Sequence, residues 1–345
     1  MHAFIYAYFM EEKVKQRIAL GTFFFLSGLT FATWASRIPT IKTFFNLNEA
    51  ELGTILLVMP ISSLIGLPIS GWLVSKFDSR NPMLVSFLLF NVTLIWIGFV
   101  QTTLGLVVAI SFFSFFMRIM NIAVNTQSII VQRKFEKRIV GSFHGLWSTG
   151  GLVGVVFSTL MVQMNIGIAN HLLGVSIFTT ILIFIAYLYT IKNDKSSTGN
   201  KLIFGKPDPF IVYLGVIIFL AAICEGGMFD WSGVYFKEVI NEPIFTYGYL
   251  SFMACMAFSR FFSDKLVQRI GMEKTYIFSS LVIILGILVA VLFPKFWSAL
   301  IGFCLVGFGT AALFPMTFAL AGTSNKYSPG MAISIISTYG ILGMF

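Results

Sequence analysis

Charge is what this chain of 345 residues has least of: only 11% are Asp, Glu, Lys or Arg, 57% are hydrophobic, and mean hydropathy is +0.89. A soluble domain carries roughly 25% charge, so a soluble globule is excluded and a polytopic membrane protein remains. Cysteine is equally scarce. Cys224, Cys255 and Cys304 all fall inside apolar runs without metal-ligand spacing, which excludes a disulfide framework and a zinc site. No metal cluster and no nucleophile–base pair of recognisable spacing is present, so neither an enzyme nor a cofactor is expected. "STGGLVG" (148–154) has the glycines of a nucleotide loop. It lacks both a preceding strand and a Gly-Lys-Ser/Thr ending, which leaves close helix packing. A cleavable signal is not expected either, because the apolar "AFIYAYFM" precedes the charged "EEKVKQR", the reverse of a signal's order, and is too short to span.

Long apolar runs are what the chain has in quantity. Segments of about 20 residues bounded by charges or turn residues predict an all-α membrane protein with spans near 18–37, 50–75, 83–101, 104–131, 142–164, 169–191, 210–235, 245–263, 275–293, 297–322 and 328–345. Eleven are visible, the last stops at "YGILGMF", and an even count makes a twelfth expected. Lys and Arg cluster between these runs, 17 in the N-terminus and even-numbered connections against 4 in the odd ones. That asymmetry puts the N-terminus in the cytoplasm. It also accounts for the pI near 9.5 through contact with a lipid bilayer, not nucleic acid. The polar stretch "KNDKSSTGNKLIFGKPDP" at 192–209 has the composition of a linker. The expected division is a cytoplasmic segment 1–16, a six-helix bundle 17–191, the linker 192–209 and a second bundle 210–345.

Two constellations carry chemistry. Ser111, Ser114, Arg118, Asn121, Asn125 and Ser128 recur at spacings of 3 and 4, which places all six on one helix face of the fourth span. A guanidinium amid hydroxyls and amides suits a wetted cavity wall and substrate oxygens, or equally a permanent partner for a buried acid. The seventh span, "IFLAAICEGGMFDWSGVYF", carries Glu225 and Asp230, costly in hydrocarbon unless they face protein or water. Glu225, about two-thirds of the way across, is a candidate for substrate or proton binding, or for an ion pair. Asp230, nearer the outer interface, is a candidate gate or second proton site, with Arg37 as its mate. His144 is open to two readings, packing residue or proton relay. Trp34 is a candidate for stacking on a sugar ring, or a member of an interfacial belt.

An internal echo joins "GWLVSKFDSR" (71–80) to "SRFFSDKLVQRIG" (259–271), at equivalent places in the two halves. Both loops resemble the signature of the major facilitator superfamily. The second matches it with Arg260, Asp264, Lys265, Arg269 and Gly271; the first departs from it at Ser75, where an acid is usual, and Asp78, where glycine is usual. "WASRIP" (34–39), "NTQ" (125–127), "SFHGLWSTGGLVG" (142–154) and "EGGMFDWSGVYF" (225–236) are similar to the MosC/YbjJ-like branch, which includes rhizopine-type permeases.

The resemblance implies two six-helix bundles with spans one, four, seven and ten around a central cavity. It further implies a monomeric secondary transporter for a small polar solute, a sugar, polyol or related amine, with protons as a second partner. The substrate residues expected are Arg118, Asn121, Asn125, Ser114, Glu225 and Trp34, with Glu225 and Asp230 for proton coupling. Arg260, Asp264, Lys265, Arg269 and Gly271 would form a conformational latch. A drug or metabolite exporter and a non-transporting solute sensor are the alternatives.

Overall fold

A computed structural model describes residues 2–192, 194, 208–242 and 247–344. Among these residues all regular structure is helical. The first half comprises α1 (His2–Ser36), α2 (Ile38–Phe44), α3 (Glu49–Leu56), α4 (Val58–Lys76), α5 (Arg80–Phe99), α6 (Thr103–Gln132), α7 (Val140–Gln163) and α8 (Ile168–Tyr187). The second comprises α9 (Pro209–Val234), α10 (Tyr247–Ile270), α11 (Met272–Leu292), α12 (Phe296–Thr310), α13 (Leu313–Ala321) and α14 (Pro329–Gly343). A π-helical turn, Tyr235–Val239, follows α9.

Each of the eleven apolar runs is helical. Among the described residues nine are long and apolar enough to cross a membrane. The other two fall short for visible reasons: α10 carries Arg260, Asp264, Lys265 and Arg269, and α14 has only 15 residues. The segment 1–16 is not set apart, because α1 runs from His2 straight into the first span. Two spans are broken, each just ahead of a proline. The gap at Leu57 between α3 and α4 lies next to the carbonyl that Pro60 would clash with, and the gap at 311–312 stands in the same relation to Pro315.

Lipid solvates apolar side chains as well as protein does, so packing and polar contacts must hold the spans together. The tightest crossing is α1 on α7. A Cβ at Gly28 would collide with the Trp147 carbonyl, and one at Gly150 with the Phe25 carbonyl. Beside it, Phe23, Phe87, Phe90 and Phe113 form a fully buried aromatic core. Large exposed apolar side chains such as Leu281, Ile284 and Leu288 on α11 are what a helix facing lipid requires.

The halves meet along two seams, α4 with α14 and α7 with α10. Hydrogen bonds that join the two halves fall between the middle of the bundle and its basic end, where Lys76, Arg80, Arg133, Arg138 and Lys265 lie. They run from Ser334 Oγ to the Leu67 carbonyl (2.7 Å), between Ser75 and Ser328 (3.0 Å), from Arg133 to the Gly322 carbonyl (3.3 Å), from Arg260 to Ser148 (2.6 Å), and from the Gly141 and Ser142 N–H groups to Asp264 (3.1 Å each).

Most of the linker lies outside the described residues, but its start is pinned. Asp194 accepts from the Ser79 N–H (2.8 Å) and hydroxyl, and Gln127 donates to the same hydroxyl (3.1 Å). Burial pushes the Asp194 carboxyl above its usual range, although the Ser79 bonds pull the other way.

Candidate functional site

The polar stripe of α6 divides into groups that are tied off and groups that are not. Ser111 donates to the Val107 carbonyl (2.7 Å). Ser114, fully buried, bonds the Met59 carbonyl (2.6 Å) and Ser63 Oγ (2.7 Å) and so straps α6 to α4. Ser128 donates to the Asn125 carbonyl (2.7 Å). Asn125 gives its amide to the Asn121 backbone carbonyl (2.8 Å) and side-chain oxygen (3.3 Å), leaving its own Oδ1 to accept from His144 Nε2 at 3.1 Å. That geometry assigns the Nε2–H tautomer to His144, whose ring packs between Phe24 and Phe318.

Arg118 and Asn121 are what remains. Arg118 is half-buried at the midpoint of α6, about 20 Å from either end at 1.5 Å per residue. Its Cβ packs beside Gly66 of α4, its Nε is buried without a hydrogen-bond partner, and among the described residues no carboxylate pairs with it. Asn121, three residues on and also half-buried, has spent its oxygens on Asn125 but not its amide hydrogens.

Glu225 has a mate, and it is not Arg118. Arg260 Nη2 lies 3.1 Å from Glu225 Oε1, with the two side chains only 3% and 6% exposed. The other end of the fork donates to Ser148 Oγ of α7 (2.6 Å), and the guanidinium sits 5.9 Å from the Trp147 ring centroid. Arg260 therefore leaves the group in which the sequence placed it. It lies one helical turn deeper than Asp264, as the counter-ion of Glu225. Sequence reasoning paired Trp147 with His144 at the start of the fifth span and did not single out Ser148. The available signal was that Ser148 stands four residues from His144, on the same face of α7.

Of the remaining latch candidates, Asp264 alone bridges the halves. Its carboxylate caps the first turn of α7, where unpaired N–H groups and the helix dipole favour an anion. Gly141 permits the approach, since a Cβ there would press on Ser263 and Asp264. Lys265 and Arg269 are exposed, and Gly271, at φ +84°, makes the left-handed turn into α11. In the corresponding place of the first half, Ser75 meets Ser328, the N-cap of α14, hydroxyl to hydroxyl.

Trp34 is not placed to stack on a ligand. It is 1% exposed and 5.7 Å from Phe113 within the core. Arg37 donates to His171 Nδ1 (3.0 Å) and the Ile166 carbonyl (2.9 Å); the side chain of Asp230, its expected mate, lies outside the described residues.

Asp264→Asn removes the charge that caps α7 and should weaken that seam by about 1–2 kcal/mol. Ser75→Ala, the loss of one neutral bond, should cost about 1 kcal/mol or less. A cysteine at Met316, buried where it lines a cavity of about 250 Å³ beside Asp264, reads the difference in a background lacking the native cysteines. Its labelling should quicken roughly 5- to 30-fold in Asp264→Asn and only a few-fold in Ser75→Ala. Equal rates in the two variants would show that the cap does not hold the seam.

Comparison with known proteins agrees with this architecture. The family model for the Major Facilitator Superfamily matches residues 18–345. An uncharacterised MFS-type transporter of Yersinia pestis is 28% identical over 97% of this chain and 88% of its own length. The membrane protein MosC of Rhizobium meliloti is 29% identical over 93% of this chain and 79% of its own. FucP, the E. coli fucose:proton symporter, solved in its outward conformation, superposes with a TM-score of 0.76 at 14% identity, covering 94% of this chain and 88% of that one. The human organic anion transporter MFSD10 superposes at 0.71 and 12%, covering 96% and 90%. With a single family model spanning the chain from the first helix to the last, and a fold shared along its length, this protein belongs to the major facilitator superfamily of membrane transporters.

Proposed function

We propose that the protein is a secondary transporter that moves a small polar solute by alternating access. In this reading the basic end faces the cytoplasm, as the 17-to-4 distribution of Lys and Arg favours, and is the closed end in the conformation described. The observation that carries the proposal is the pairing state of α6. At the midpoint of a membrane-spanning helix, Arg118 and Asn121 keep unspent donors while the rest of the stripe is tied off, Ser111 and Ser128 within α6, Ser114 to α4 and Asn125 to α7. An unpaired guanidinium at that depth is expensive and is retained where something else binds it.

Glu225 is the proton candidate. Protonating it would free Arg260, so proton uptake at Glu225 and loosening of the contact from α10 to Ser148 on α7 would be one event.

Reconstitution into proteoliposomes, with counterflow of radiolabelled sugars, polyols, amines and organic acids, tests the reading. At least one solute should exchange. Arg118→Ala should cut its uptake below KM roughly 10- to 150-fold, the loss of a hydrogen-bond pair to a charged group, while the protein still inserts and elutes as a single species. If Arg118→Ala instead lowers folded yield and the surviving protein exchanges normally, Arg118 braces the bundle and does not bind.

A further inference from the structure

The charge inventory inside the membrane points to the solute's own charge. Among the described side chains near the middle of the bundle, three are ionic: Arg118, Arg260 and Glu225. Two of them cancel, since Glu225 and Arg260 are held at 3.1 Å and almost fully buried. One cation is left over, Arg118, with a buried Nε that no protein acceptor reaches. His144, which donates through Nε2 to Asn125, makes no bond to Arg118.

The unspent groups beside this charge on α6 are donors. Arg118 offers only donors. Asn121 has its oxygens occupied by Asn125 and its amide hydrogens free. The hydroxyls of Ser111 and Ser128 donate to backbone carbonyls of α6, and that of Ser114 is held by the Met59 carbonyl and Ser63, so none of their oxygens is bonded to Arg118. An unpaired guanidinium beside a spare amide donor repels a protonated amine, gains no counter-charge from a neutral polyol, and matches the two oxygens of a carboxylate in a bidentate fork.

We infer that the transported solute carries a carboxylate, bound by the Arg118 guanidinium with the Asn121 amide as a second donor. This rests on the reading of the α6 stripe as the solute site and narrows it from small polar solutes to organic acids. Carboxylate binding also leaves the interior without net charge, so the loaded site can be enclosed between the halves more readily than the empty one.

The test uses three probes sharing one six-carbon polyol skeleton, D-gluconate, D-sorbitol and D-glucamine, with acetate and L-lactate as minimal acids. Thermal melting of the purified full-length protein is followed at constant ionic strength. At least one carboxylate should raise the melting temperature, by about 5 °C at saturation, while sorbitol and glucamine leave it unchanged. The rise should vanish in Arg118→Gln and shrink in Arg118→Lys, which keeps the charge but loses the fork; both variants must show an unliganded transition near that of the wild type, and if Arg118→Gln does not, Arg118→Lys carries the comparison. Stabilisation by sorbitol or glucamine beyond that by the acids overturns the inference. So does an equal response to the acids in wild type and variants, or no response to any of the acids. The two readings fail separately: counterflow of sorbitol or glucamine would uphold transport and sink the carboxylate, whereas Arg118-dependent binding of an acid that never exchanges in liposomes would do the reverse.

Discussion

Glu225→Gln should destabilise the protein by about 3–5 kcal/mol, because it leaves Arg260 as a buried cation without its counter-ion. The loss is that of breaking the pair, not the net worth of having it. Glu225→Gln/Arg260→Gln should therefore recover most of the melting temperature lost by either single variant. The transport consequence is distinct. If Glu225 carries the proton, the single variant, assayed on its folded fraction, should lose accumulation against an imposed pH gradient yet keep counterflow at equal pH, and Asp230→Asn should disturb coupling less. Gradient-driven accumulation by Glu225→Gln would remove Glu225 from proton carriage and leave it a structural ion pair. A double variant no more stable than the singles would show that the two charges do not depend on each other.

The second large effect concerns no charge at all. Gly150→Val should prevent recovery of a monodisperse protein, because its side chain would have to occupy the Phe25 carbonyl of α1. Backbone against backbone cannot be relieved by a rotamer change, so the cost should exceed about 4 kcal/mol. Gly28→Val should behave the same way from the other side of the crossing, through the Trp147 carbonyl. Gly174→Ala on α8, whose added methyl meets nothing within 4 Å, should be as stable as wild type or more so by up to about 1 kcal/mol. Gel filtration of the solubilised protein and thermal melting separate these outcomes. Normal behaviour of Gly150→Val would mean that α1 and α7 do not cross as closely as described.

The membrane spans could be read in the sequence because a bilayer imposes one requirement, about twenty apolar residues, on every span. The α6 stripe was equally readable, since residues three and four apart must share a face. What spacing could not reveal was which of its members were already committed. Ser114 is spent on Met59 and Ser63, partners more than fifty positions away, and Asn125 on a histidine of the next span. Arg260 was drawn towards the basic end by its place in a loop motif, yet the pitch of α10 carries it one turn inward to Glu225, 35 positions distant. Trp34 shows the same limit. Its depth in the first span was legible, but the rotation that turns its ring onto Phe113 depends on helices the local sequence does not mention.

The two seams at the basic end are unlike. The α7–α10 seam is fastened by a carboxylate on a helix terminus and by a buried guanidinium on a serine, whereas the α4–α14 seam is held by hydroxyls bonded to one another and to a carbonyl. A closure fastened unequally along its two edges does not part in parallel. The weaker edge yields first and the stronger serves as the pivot, so the second half of the chain would swing about α7 as a door does on its hinge, with α14 tracing the wider arc.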